Sequence, residues 1–289
     1  MSNNCLNIRT IGSVEPLLPM VGEKDFQLDF TQNRETPIHL DVTYISGSGQ
    51  HTIKLSGSAY FTNSTGTENL GQNLTIDANT ETDIYIIDSA SEIATMIMNV
   101  YDLYRFSEMS TNDDRINSDL TNFKYTSDLM RIDLNMFDII DSISNNILSD
   151  DLRIMYFLYG DGSGAISTEE LGAYLEARDF RLAGIVVTGD IINLYTLTKL
   201  TTLRINGANL SQVTGEINEF IQKMIDDGGR TSGTIAMRFL TDGNITLNGS
   251  ALANTNVSVT ITSSIQYSVT CNSVTYTYVK SGGEWTIQI

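Results

Sequence analysis

Residues 189–210 read GDIINLYTLTKLTTLRINGANL. Leu200, Leu203 and Ile205 fall in the spacing L-x-x-L-x-L, preceded by a small turn, Gly189-Asp-Ile191, and a stretch bearing Leu194 and Leu197. The same spacing, with substitutions, is found at Leu129/Ile132/Leu134, Leu152/Met155/Phe157 and Phe180/Ala183/Ile185. In chain order the first positions of the four segments lie 23, 28 and 20 residues apart. The turn recurs as Ile140-Asp-Ser-Ile143 and as Gly164-Ala-Ile166 leading to Leu171 and Leu175, so that Ile140, Ile166 and Ile191 are 26 and 25 apart.

A period in this range marks a repeat architecture, and this pattern is that of a leucine-rich repeat, one short strand and one helical turn per unit. No unit can bury its apolar edge alone, so neighbours must stack. The asparagine usual after such a strand is replaced by Phe137, Gly160, Thr188 and Ala208, with Asn209 one step away. Residues between the apolar positions would face outward from the strands. Arg131, Asp133, Tyr156 and Arg204 are the binding candidates on that face, with Tyr156 or Tyr159 for stacking on a sugar. After the last unit, Val213, Ile217, Ile221 and Ile225 are four apart, which predicts an amphipathic helix capping the stack and ending at Gly228-Gly229.

The flanks read as β. In PIHLDVTYI, Ile38, Leu40, Val42 and Tyr44 alternate with His39, Asp41 and Thr43, a half-buried strand. HTIKLSGSAYF, NLTIDAN and ETDIYIID follow at strand spacing with polar turns between, as in an antiparallel sandwich. Beyond residue 240, Val257/Val259/Ile261, Ile265/Tyr267/Val269/Cys271 and Val274/Tyr276/Tyr278 alternate, and VKSGGEWTIQI predicts a hairpin with Trp285, Ile287 and Ile289 on one packed face. The chain is thus expected to be a multi-domain α+β protein. It divides into an N-terminal arm over 1–25, an antiparallel β-sandwich over 26–105, a short leucine-rich-repeat α/β solenoid over 106–230 and a small C-terminal β domain over 231–289.

The net charge of −18 over 289 residues argues against nucleic acid, whose phosphates need Lys and Arg, and against an anionic membrane surface. Cys5 and Cys271 form neither a disulfide framework nor a zinc site. The opening MSNNCLNIRTIG shows no basic and apolar leader, and no apolar run reaches the roughly 20 residues of a membrane helix. Synthesis in a cytosol, without membrane insertion, is the expectation.

Tyr159–Glu170, YGDGSGAISTEE, imitates a calcium loop. With Gly164 at its sixth position, Asp161, Ser163 and Glu170 occupy the third, fifth and twelfth. Tyr159 stands where the first carboxylate belongs, and a turn followed by a helix capped by Ser167 or Thr168 explains the same residues. No metal or cofactor is therefore expected. His39 and His51 are the only histidines, and no nucleophile elbow, phosphate loop, zinc motif or dinucleotide fingerprint occurs, so no catalytic residue is assigned.

Polar strands of the DIYIID type, degenerate units such as GDIINLYTLTKLTTLRINGANLS and the ending GGEWTIQI together resemble, over roughly residues 75–289, proteins of bacteriophages of gut Bacteroides-type hosts, including crAss-like phages. That resemblance implies a non-enzymatic virion structural protein. It would be a head fibre or capsid decoration component, attached through its N-terminal region to capsid or other virion proteins and exposing its repeat and C-terminal β domains. It further implies a homo-oligomer, with a trimer favoured, made in the host cytoplasm and located in the virion. A tail-fibre module binding a host-surface glycan or protein receptor is the alternative, and a bacterial surface leucine-rich-repeat adhesin a second one.

Overall fold

The computed structural model describes residues 25–30, 37–44, 50–88, 94–99, 103–108, 116–118, 129–135, 137–139, 149–158, 164–183, 185–206, 212–240, 244–252 and 254–288. Nearly all of the expected arm, Cys5, Ile140, Ile143, Tyr159, Asp161, Ser163 and Ile289 lie outside the described residues. Strands dominate throughout.

The first nine strands are β1 (Asp25–Phe30), β2 (Ile38–Tyr44), β3 (Gln50–Leu55), β4 (Ala59–Thr62), β5 (Asn73–Asp77), β6 (Thr82–Asp88), β7 (Ala94–Asn99), β8 (Leu103–Glu108) and β9 (Ile116–Ser118). Alternation in β2 does what the sequence asks: Ile38, Leu40, Val42 and Tyr44 are buried. Asp41, on the opposite face, is buried as well, at 4% exposure, because Arg105 closes over it. β4, β6, β2 and β8 pair antiparallel as one sheet, while β5, β3, β7, β1 and β9 belong to another.

Parallel pairing begins at β8. β10 (Arg131–Asn135), β12 (Ile154–Leu158), β14 (Asp179–Leu182), β16 (Thr202–Asn206) and β18 (Gly233–Leu240) follow it side by side. Phe106, Ile132, Met155, Phe180, Leu203 and Met237 are successive cross-strand neighbours on the inner face, each no more than 2% exposed. Burying each such side chain contributes about 1.5–3 kcal/mol relative to leaving it in water. The ladder therefore holds its register strongly, since a one-residue slip would turn every member outward.

Between these strands the chain returns through a second layer. β11 (Phe137–Ile139) pairs with β9, and β13 (Ala165–Ser167), β15 (Val186–Asp190), β17 (Val213–Glu216) and β19 (Ile245–Leu247) stack in parallel, with β20 (Ser250–Ala251) as an edge hairpin. Helical segments complete the coils: α1 (Thr168–Leu171), a 3-10 helix (Ile191–Thr196) and α2 (Ile217–Asp226). Ser167 caps α1 with a full capping box: its hydroxyl accepts from the Glu170 amide at 3.1 Å, and Glu170 Oε2 accepts from the Ser167 amide at 2.7 Å.

Three expectations are corrected here. In the third unit the matched strand positions are Phe180 and Leu182, opposite Leu203 and Ile205, rather than Phe180/Ala183/Ile185. Buried Ala177 takes the leading place, so successive units start at Leu129, Leu152, Ala177 and Leu200, 23, 25 and 23 residues apart. Ile166 is matched by Val187 and not by Ile191. Finally, α2 does not cap the stack. It packs beside the 3-10 helix within a unit, and the ladder continues through β18.

From β18 the sheet turns antiparallel through β21 (Thr255–Ser263), β22 (Gln266–Cys271), β23 (Val274–Ser281) and β24 (Glu284–Gln288). One 13-stranded sheet thus runs from β4 to β24, crossing both expected domain boundaries, 105/106 and 230/231. Tyr267 stacks on Tyr278 and meets the Trp285 edge, and Lys280 and Trp285 both bond Asp226 of α2. The apolar face of the last strand is only partly packed: Trp285 is half-buried, but Ile287 is 40% exposed.

Candidate binding face

The outward side chains of the parallel strands form rows across the sheet, because in-register parallel pairing aligns every second residue. One row runs Arg105, Arg131, Ile154, Asp179, Thr202, Ala236, and the next runs Asp133, Tyr156, Arg181, Arg204, Arg238. The four residues singled out in the sequence, Arg131, Asp133, Tyr156 and Arg204, all lie on this face. Arg131 and Asp133 are on β10, Tyr156 on the adjoining β12, and Arg204 two strands further on.

Tyr156 is the centre of a fixed ionic group. Its hydroxyl donates to Asp179 Oδ2 at 2.6 Å. Asp179 also accepts two bonds from Arg181, Nε at 3.2 Å and Nη2 at 2.9 Å, a forked pair that fixes both side chains. The Arg181 guanidinium lies 4.3 Å from the tyrosine ring centroid and that of Arg131, from the strand on the other side, 5.4 Å. Burial, and then the bond to Asp179, push the phenol up to about 12. The bond to Asp179 likewise holds the Arg181 guanidinium above its ordinary value. The ring is flanked by arginines instead of being open for a sugar, so the stacking role expected of Tyr156 does not fit this geometry.

Arg131 pairs with Asp133 at 2.9 Å, and burial raises the Asp133 carboxyl above the ordinary range against the pull of Arg131. At the N-terminal end of the face Arg105 bridges Asp41 at 2.6 Å and Glu81 at 2.8 Å. Burial dominates the upward shift of Asp41, Arg105 opposes it and Glu81 adds to it. Arg204 and Arg238 differ from the rest. Arg204 is exposed and makes no ion pair with a described residue, and among those residues Arg238 has only Asn254 Oδ1 at 3.5 Å. Sequence reasoning missed Asp179, Arg181 and Arg238. The misread register of the third unit hid the first two. The third sits in a unit whose apolar positions, Met237 and Phe239, lack the leucines that mark the others.

Elsewhere the chemistry is sparse. His39 bonds Asp83 at 2.7 Å and stacks on Tyr85, and His51 stacks on Tyr44. In the calcium-like loop the last ligand position, Glu170, is engaged in the α1 cap. Among the described residues no group of three or more His, Cys, Asp or Glu could hold a metal ion, and no helix is long and apolar enough to cross a membrane. Cys271 is a buried free thiol whose pKa burial raises. No protein-family model, curated protein or solved structure matches the chain.

Proposed function

We propose that this chain is a non-enzymatic structural protein of a bacteriophage particle, a head-fibre or capsid-decoration component whose contact surface is the outer face of the parallel sheet. The observation that carries the reading is that face itself: an open array in which Arg131, Asp133, Tyr156, Asp179 and Arg181 are locked to one another, with the exposed Arg204 and the half-buried Arg238 beside them. Preset charges on a broad sheet suit recognition of another surface, because side chains already fixed by their neighbours lose little freedom on binding. The stacked strand–strand–helix coils are read as leucine-rich-repeat-like units, with the two N-terminal sheets as a sandwich that attaches to the particle. The resemblance to phage proteins supplies the particle. A tail-fibre module that binds a host receptor is the second reading, favoured by the same two arginines.

The test is to band particles from lysates of the host carrying this gene and probe them by mass spectrometry and immunogold labelling. The chain should be found at many copies per particle with label on the outer surface, and light scattering of the purified chain should give an oligomer. Its absence from banded particles would end this reading, and label confined to tail tips would favour the receptor module.

A further inference from the structure

We propose that Arg204 and Arg238, extended by Arg181, form a docking strip for an acidic segment of a partner protein; this rests on reading the sheet face as the contact surface. The three arginines are direct cross-strand neighbours on β14, β16 and β18, so their Cα atoms are spaced by about 4.8 Å per strand. Like charges directly opposite one another destabilise a sheet. Asp179 relieves this for Arg181 alone. Among the described residues, Arg238 Nε is buried without an acceptor, and Nη2 reaches only Asn254 at 3.5 Å.

The rest of the chain sharpens the contrast. Asp and Glu number 35 against 17 Lys and Arg, yet two neighbouring guanidinium groups here have no carboxylate from the described residues. The pairing costs folding energy and returns none from the described residues, which points to an anion from outside. Beside the strip, Thr202, Ala236 and Ser258 form a row of small side chains, a low floor along which a second backbone can lie. At its far side Asn256 ends the charge.

Three features favour carboxylates on a short peptide segment. A guanidinium fork pairs a carboxylate bidentately. The one aromatic ring of the row, Tyr156, is flanked by Arg131 and Arg181 and offers no platform to a sugar. A long polyanion would overrun a strip three strands wide and meet a molecule of net charge −18.

The test uses the full chain and a fluorescein-labelled hexaglutamate peptide, read by fluorescence anisotropy at about 20 mM and about 300 mM salt. Binding should be measurable at low salt and fall at high salt. The double variant R204A/R238A should weaken it about tenfold or more and melt no lower than the parent, whereas K54A on β3 should leave it unchanged. Unchanged affinity in the double variant, or no peptide binding at low salt, overturns the proposal. Binding of polygalacturonate or heparin in place of the peptide assigns the strip to a glycan and overturns it too. So does a sedimentation result in which the parent self-associates and the double variant does not, since the occupant is then a second copy. A chain that is found in particles but ignores hexaglutamate sinks this inference and leaves the functional reading standing. A chain absent from particles that binds hexaglutamate through this strip does the reverse.

Discussion

Arg230 is a single side chain that joins separate segments of the fold. It is 7% exposed, and no carboxylate of the described residues pairs with it. Its donors serve backbone carbonyls instead: Leu200 at 2.6 Å, Ser232 at 3.2 Å and Thr234 at 3.3 Å. These carbonyls lie just before β16 and at the start of β18, so the guanidinium ties two ladder strands together at the end of α2. Burial lowers its pKa without threatening its charge at any ordinary pH. Arg230→Ala should cost about 2–3 kcal/mol, since the buried Leu200 carbonyl and two part-buried ones lose a charged donor, and a urea unfolding midpoint checks it. Arg230→Lys should recover only part, because one ammonium cannot span the same fork. Tyr156 gives the pH-dependent counterpart. Its folded pKa, about 12, lies above the unfolded value near 10, so the fold retains the proton longer. The stability from its bond to Asp179 is complete below about pH 10 and is lost as pH rises towards about 12. Tyr156→Phe should lack that loss, so the difference in melting temperature between parent and variant should shrink across this interval.

At the scale of elements, successive units come close together on their helical side. Gly172 follows α1, and a Cβ built there would stand 2.4 Å from the Asn193 carbonyl oxygen in the 3-10 helix of the next unit. Thr196 Oγ1 donates to the Gly172 carbonyl at 2.6 Å, and Asn193 Nδ2 donates to Thr168 Oγ1 at 3.1 Å. A backbone oxygen cannot swing aside as a flexible side chain could. Gly172→Ala should therefore push two units apart and cost about 1–3 kcal/mol in chemical denaturation. The α1 cap was legible beforehand, because Ser and Glu three apart ahead of an apolar run is a local signal. The third unit's register was not. FRLAGIVV offers apolar residues at 180, 182, 183, 185, 186 and 187, and two strand registers satisfy it equally. Only the alignment of Phe180 with both Met155 and Leu203 selects one.

For the whole molecule, the continuous 13-stranded sheet and single apolar core make cooperativity the central expectation. β8 of the N-terminal segment donates an edge to β10, and β18 joins the parallel ladder to the antiparallel strands that follow. Separable domains would melt in two or three steps. Calorimetry should instead give one transition with matching van't Hoff and calorimetric enthalpies. Two resolved transitions would mean that the sheet's continuity carries little free energy at one of these seams.

The sequence by itself determined what depends on neighbours along the chain. The alternating strands at Ile38–Tyr44 and Thr255–Ser263, the amphipathic α2, the capping box at Ser167 and the recurrence of strand units all follow from residue spacing, because pleat and helix periods are local properties. The same alternation put Arg131, Asp133, Tyr156 and Arg204 on an outward face. Tertiary structure alone decided which outward residues become neighbours. Asp179 holds Tyr156 from 23 residues away and Arg238 lies beside Arg204 across a 34-residue excursion. Cross-strand rows are set by how whole coils stack, and the energy that fixes that stacking is the burial of the inner ladder, from Phe106 to Met237, which no single unit contains.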